Sequence, residues 1–317
     1  MTYLEQLVKD FPIRRSMEQK ENFRKWFLAE AKRLGYSAKV ESSAGKHDNI
    51  VIGNPEKAQV TFTAHYDTPA VNFLPNIMIP RNVPLFISYQ IVIVGIMLLA
   101  ALIVGFIAYT FLHDLQFSYM IGWLFYMALL MLMLYGPSNK HNVNDNTSGV
   151  ATVLQTMAKI PPEQRQEVAF ILFDNEEKGL RGSKAYAKDH LEVQYTHLIV
   201  NLDCVGVGDN ILVITPKLAA KLPAYAHLEE AIRAQEGRKA FFFPKAGSMC
   251  NSDQKNFKCG VAVMACKKRP IVGYYCPSIH TARDTYADQG NIDFLSDGLS
   301  AFVSRIQPPP EAQDTAG

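Results

Sequence analysis

The stretch Phe170–Ser183 reads FILFDNEEKGLRGS. An apolar run of strand length, Val168 to Phe173, breaks into a polar turn carrying Asp174, Asn175, Glu176 and Glu177. Gly179, Leu180 and Gly182 then lead into a segment of helical pattern. Two adjacent carboxylates therefore stand at the C-terminal end of a strand, where open α/β sheets bind ligands. Neighbouring residues in an extended turn point apart, so one carboxylate can hold a metal while the other serves as general base toward water. Such a pair is by itself equally a solvated surface feature; its meaning depends on the rest of the chain.

Working outward, strands alternate with helices. Ser37–Glu41, Asn49–Ile52, Gln59–Thr63, His197–Leu202, Ile211–Thr215, Ala240–Phe243 and Val261–Ala265 read as strands. Thr2–Gly35 carries two apolar helical faces. Val150–Ile160, Gly182–His190, a long segment Lys217–Glu236, a short one at Asp253–Lys258 and a last one at Ile292–Ile306 also read as helices. This order predicts an α/β fold, a mostly parallel mixed sheet flanked by helices. Pro308 to Pro310 open a polar tail expected to be disordered.

One segment stands apart. Between Pro84 and Tyr135 the only charged side chain is Asp114, and the apolar runs Pro84–Leu112 and Phe117–Tyr135 are each long enough to cross a bilayer, which takes about 20 helical residues. Aromatic residues such as Phe86, Tyr89, Tyr109, Phe117 and Tyr135 lie near their ends, as interfacial residues do. The segment reads as a transmembrane hairpin, with the lipid bilayer as a partner. Ala101 and Gly105 form a small-xxx-small pair that permits close helix approach. The chain thus divides into a first catalytic portion at 1–83, a two-helix insertion at 84–135, a second catalytic portion at 136–307 and the tail at 308–317. Arg81 and Lys140 flank the hairpin on the side of the main body, and its tip has no Lys or Arg. The positive-inside bias then predicts a multi-pass cell-membrane protein with its catalytic part in the cytoplasm.

The rest of the composition narrows the classes. The formal net charge is +2, so nothing points to nucleic acid, and the five cysteines have no paired metal-finger spacing. The N-terminus lacks an apolar signal region, in keeping with a reducing compartment.

Acids and imidazoles gather at the expected strand ends and helix starts: His65, Asp67, Asp145, Glu176, Glu177, Asp203 and, far downstream, His280. Imidazole with carboxylate suits zinc, and an aspartate able to bridge suits two ions. His65 and Asp67, two apart in an extended segment, point to one side, which lets Asp67 accept the second imidazole N–H. HYDT at 65–68, NDNTSGVA at 144–151, EEKGLRGS at 176–183, NLD at 201–203, SD at 252–253 and IHTARDTYAD at 279–288 together resemble peptidase family M28. That family includes zinc aminopeptidases, carboxypeptidases and glutaminyl cyclases. The resemblance covers both soluble portions, and the hairpin occupies what is a short loop in soluble members.

The resemblance implies that Asp145 bridges two zinc ions, with His65 and Asp203 completing one site and Glu177 and His280 the other. It further implies Glu176 as general base, Asp67 orienting His65 and a cis peptide after Asp145. Cobalt or manganese would suit the same donors. The expected function is a membrane-anchored di-zinc exopeptidase, an aminopeptidase acting on short peptides, with homo-oligomerisation open. Glutaminyl cyclase-like or carboxypeptidase activity and a non-catalytic membrane scaffold are the alternatives. A carboxypeptidase needs a cation for the substrate carboxylate, for which Lys245 and Arg269 are candidates. Phe243–Cys250 and Phe257 are candidates for lining a side-chain pocket.

Overall fold

The computed structural model describes residues 1–43 and 45–306, so the tail expected to be disordered lies outside the described residues. Two N-terminal helices come first, α1 (Tyr3–Asp10) and α2 (Met17–Arg33). Each opens on a reciprocal capping box, Thr2 with Glu5 and Ser16 with Gln19. The strands are β1 (Ala38–Ser43), β2 (His47–Ile52), β3 (Val60–His65), β4 (Ile77–Met78), β5 (Val168–Phe173), β6 (Leu198–Leu202), β7 (Asn210–Thr215), β8 (Lys239–Pro244), β9 (Gly260–Arg269) and β10 (Gly273–Pro277). The remaining helices are α3 (Val83–Leu112), α4 (Leu115–Tyr135), α5 (Ser148–Lys159), α6 (Arg181–Asp189), α7 (Leu191–Thr196), α8 (Pro223–Arg233) and α9 (Gln289–Val303).

The sheet runs β1-β2-β5-β3-β6-β9. Its interior pairs β5-β3, β3-β6 and β6-β9 are parallel, whereas β1-β2 and β2-β5 at one margin and β9 with β7 and β10 at the other are antiparallel. Alternate residues of a strand feed opposite faces. Phe170, Leu172, Val200 and Leu202 join α5, α8 and α9 in one core, while Ile171, Phe173 and Ile199 meet Tyr186 of α6 and Val193 of α7 in another. Burial on both faces explains why β5 and β6 read as near-continuous apolar runs, while β3 alternates apolar residues with buried Thr61 and Thr63. Because these three strands are parallel and His65 is in register with Phe173, their C-terminal ends fall at one rim.

Several elements depart from the sequence reading, which did not include β4 or α7. The helix expected over Lys217–Glu236 starts only at Pro223, since a proline lacks the N–H to continue an earlier turn and holds Leu222 extended (ψ 134°). The segment expected at Asp253–Lys258 is a single turn, Asp253–Asn256. The strand expected at Val261–Ala265 runs on to Arg269 and turns back as β10, which the sequence reading did not include.

Helices α3 and α4 form an antiparallel pair that projects from the sheet domain. Their 30 and 21 residues correspond to roughly 45 and 31 Å of helix, against a hydrocarbon core of about 30 Å. Both are long and apolar enough to cross a membrane. Apolar side chains stay exposed along them, Ile91, Leu102, Phe106, Leu124 and Met131 among them, which is not the pattern of core helices. The two backbones meet at small residues: a Cβ on Gly122 would lie 2.8 Å from the Ala101 carbonyl oxygen and 3.4 Å from the Gly105 Cα. At the base of the pair the flanking segments bond to each other, Val71 N–H to the Pro137 carbonyl (2.9 Å) and Asn139 N–H to that of Pro69 (3.0 Å). The chain therefore leaves and rejoins the domain at one place.

Candidate metal centre

His65 is the last residue of β3, Asp203 follows β6, and Glu176 and Glu177 stand in the turn after β5. Asp145 lies in the irregular turn before α5, which contains a cis Asp145–Asn146 peptide, and His280 lies in the loop after β10. The fold brings all six to one rim. Asp145 is central: its Oδ1 is 3.2 Å from His65 Nε2 and its Oδ2 is 3.0 Å from His280 Nε2. Asp203 Oδ1 lies 3.9 Å from His65 Nε2, and Glu177 Oε2 lies 3.0 Å from His280 Nε2. Two trios result, His65–Asp145–Asp203 and Asp145–Glu177–His280, each with its donor atoms within 4.8 Å of one another.

The donors fit zinc. Nitrogen and oxygen ligands about 2.0–2.1 Å from a tetrahedral ion stand roughly 3.3 Å apart, the scale seen here. His65 Nε2, Glu177 Oε1 and Asp203 Oδ1 are buried without a hydrogen-bond partner among the described residues, a costly arrangement unless a cation takes them up. His65 also stands within the same 4.8 Å of Glu176 and Glu177, so the Glu176 carboxylate reaches both halves of the centre.

Electrostatics point the same way. Burial, reinforced by Glu177, Asp253 and Asp203 against His65, pushes Glu176 well above the usual carboxylate range. Burial and then Asp145 raise Asp203, and burial is the main cause of the rise at Glu177. Burial also works to raise Asp145, but His280 and His65 outweigh it and hold that carboxylate low. His65 is held well above its ordinary value because Glu176, Asp145, Asp67 and Asp203 overcome its burial. This much negative charge in a buried space calls for cations.

Surrounding bonds fix the donors. The Asp67 carboxylate pairs with the imidazole at ion-pair distance but is not its nearest acceptor. His65 Nδ1 lies 3.1 Å from the Asp67 backbone carbonyl, while the carboxylate, 3.6 Å from that nitrogen, accepts the Glu176 N–H (3.0 Å) and the Glu177 N–H (3.3 Å). Asp67 thus joins the end of β3 to the acid pair. Asp284 accepts the Asn144 and Asp145 N–H groups, each at 2.9 Å. Arg14, fully buried, donates to the Tyr66 carbonyl (2.5 Å) and to Thr147 Oγ1 (3.0 Å), tying the His65 segment to the Asp145 turn. Asn146 donates to the Leu202 carbonyl, and Gly149 is required beside it, since a Cβ there would lie 2.3 Å from the Asn146 side chain. The sequence reading gave Asp284, Arg14 and Asn146 no role, although Asp284 and Asn146 fall inside quoted motifs.

A cleft in front of the donors is lined by Asp145, Glu176 and Asp203 at its floor, by Met249, Cys250 and Ile279, and by Phe86 and Leu134 from the hairpin. Phe257 does not line it: it stacks on Phe173 in the core. Phe243 packs against Tyr274 instead, and Lys245 and Arg269 are exposed away from the cleft.

Comparison with curated proteins finds no match. Among solved structures, the fold is similar to the LapA aminopeptidase of Legionella pneumophila (TM-score 0.58, 13% identity, 98% of this chain and 69% of that one). It is also similar to a Zn-dependent exopeptidase of Parabacteroides distasonis (0.58, 15%, 96% of each) and to the glutaminyl cyclase of Porphyromonas gingivalis (0.57, 13%, 95% of each). At these identities the likeness is one of fold. The model of Peptidase family M28 matches residues 133–303, more than half of the 317, and spans five of the six donors and acids at the rim. With its sheet, its two trios and this match, the chain belongs to peptidase family M28 and has the fold of the zinc exopeptidases.

Proposed function

We propose that the protein is a membrane-anchored di-zinc aminopeptidase that removes N-terminal residues from short peptides. The observation that carries this reading is Asp145, which offers one oxygen to each of two histidines on opposite sides of it. His65, Asp145 and Asp203 would hold one zinc, and Asp145, Glu177 and His280 the other. When bound, zinc polarises the scissile carbonyl and acidifies the attacking water. Glu176 takes the proton of that water and returns it to the departing amine. Asp67, bonded to the Glu176 N–H, sets where that carboxylate stands.

Glu176→Gln should keep its zinc and lose about 10³-fold in turnover, the scale of general acid–base catalysis. Elemental analysis beside hydrolysis of a free and an N-acetylated leucyl-alanine amide tests the whole reading. Two zincs per chain and cleavage of the free amine alone are expected. One zinc per chain with ammonia release from an N-terminal glutamine would instead favour a cyclase.

The apolar surface of α3 and α4 supports anchoring in a bilayer. A cytoplasmic catalytic domain is supported by Arg81 and Lys140, and by Arg15, whose guanidinium donates to the Leu134, Gly136 and Pro137 carbonyls at the end of α4. Labelling of a cysteine placed at Asp114, from outside intact cells and not from inside, is the expected result.

A further inference from the structure

Beside the main cleft lies a second cavity of about 240 Å³. Glu177 and His280 line both, so the two spaces meet at one half of the metal centre. The charges of the second cavity differ from those of the first. Its polar wall carries Arg15, Lys20 and Lys178, and its opposite wall is apolar, formed by Ile93, Met133 and Leu134 at the root of the hairpin. Most charged groups here are already engaged. Lys20 donates to Asp174 at 2.6 Å, and Asp67 is taken up by the two backbone amides after β5. The Arg15 guanidinium donates only to carbonyl oxygens among the described residues, although Glu177 and Asp67 stand close enough to act on its charge. The Lys178 ammonium, half-buried, makes no hydrogen bond or ion pair among the described residues. The main cleft, by contrast, is floored by carboxylates.

Resting on the aminopeptidase reading, we propose that Lys178, supported by the charge of Arg15, binds the C-terminal carboxylate of a di- or tripeptide whose last side chain is apolar. The peptide's carboxylate then lies in the cavity that holds Lys178 and Arg15, with the scissile carbonyl at the metal centre. Lys245 and Arg269 are not needed for this role.

The test uses the full-length, zinc-loaded protein in lipid nanodiscs with three substrates: leucyl-alanine, its amide, and leucyl-glutamate amide. The wild type should prefer the free dipeptide to its amide by about tenfold or more in kcat/KM, seated mainly in KM, the scale of a charge-assisted hydrogen bond. Lys178→Met should bring that preference below about twofold, and Lys178→Arg should retain it. Equal use of acid and amide by the wild type, or a uniform loss on both in Lys178→Met, overturns the inference and leaves the peptidase reading in place. Preference for leucyl-glutamate amide over both others overturns the assignment to a terminal carboxylate. Hydrolysis of none of the three removes the peptidase reading and this inference together.

Discussion

The two halves of the centre are built differently. His65 and Asp203 sit at the ends of adjacent parallel strands, and the His65 side chain is 1% exposed. Glu177 and His280 sit in loops, and the His280 side chain is 35% exposed. His280 has φ +59°, in the left-handed region, and Ser278 before it has φ +67°, conformations that non-glycine residues adopt when surrounding bonds enforce them. Those bonds come from the segments that flank the hairpin: the Asn72 N–H donates to the His280 carbonyl (2.6 Å), and Asn139 Nδ2 donates to that of Thr281 (3.1 Å). His65 and Asp203 are thus fixed by the sheet, Glu177 by the turn after β5 and its bond to Asp67, and His280 by the segments that flank the hairpin. The sheet-built half should bind its zinc more tightly.

Removing one histidine at a time gives the sharpest test. His280→Ala should retain close to one zinc per chain after dialysis against a mild chelator, and His65→Ala much less, while both lose about 10³-fold or more in activity. Equal retention by the two variants would break the distinction.

Chelation tests the charge shared by both halves. Burial raises Asp253 and Asp284 to about 7, with Asp145 adding to the rise at Asp284. For a carboxyl whose folded pKa is raised, the native state binds the proton more tightly, so stability falls as pH rises from about 4 to about 7 and is level above that. Chelated protein should therefore be less stable, and melt lower, at pH 8 than at pH 5, by up to about 2.6 kcal/mol for Asp253 alone. Zinc should flatten the profile. A melting temperature independent of pH in the chelated protein would contradict this account.

How much of this was legible in the sequence follows the same division. The strand ends were readable because β5 is a continuous apolar run, β3 (VTFTAH) and β6 (LIVNL) are β-branched and apolar in large part, all three stop at polar residues, and the six motifs placed the donors there. The hairpin was readable from length and apolarity alone. The β10 strand was not, because GYYCP is short and follows the charged, exposed end of β9. With it went the support of the His280 loop. Arg14 reads as a surface cation, and nothing local announces partners such as Thr147, 133 positions away. Asp67 shows what spacing leaves out: residues two apart do share a side and the carboxylate pairs with the imidazole, but its backbone carbonyl stands nearer to Nδ1 and the carboxylate also holds the acid pair.

Asp284 serves both halves, since its two oxygens hold the Asn144 and Asp145 amides that present the bridging carboxylate. Asp284→Asn keeps the shape but turns one acceptor into a donor facing an N–H. Zinc affinity should fall about 10–100-fold, the usual cost of losing such a supporting bond. Loss at the His65 site alone would mean that Asp145 is not held as one unit.

The smallest expected effect comes from the hairpin itself. Gly122→Leu places a side chain where even a Cβ would stand 2.8 Å from the Ala101 carbonyl oxygen, so α3 and α4 must separate or shift. Overpacking of this kind costs about 1–3 kcal/mol. The displacement reaches the rim through the paired segments around Ala70 and Ser138, which bond to the His280 loop at Asn72. In nanodiscs the variant should lose affinity for the more weakly held zinc by about threefold to tenfold, a fraction of that cost transmitted to the loop. The tighter zinc should be retained as in the wild type. Equal weakening of both would show that the hairpin bears on the sheet as a whole, and no change in either would show that Asn72 and Asn139 fix the His280 loop whatever the helices do.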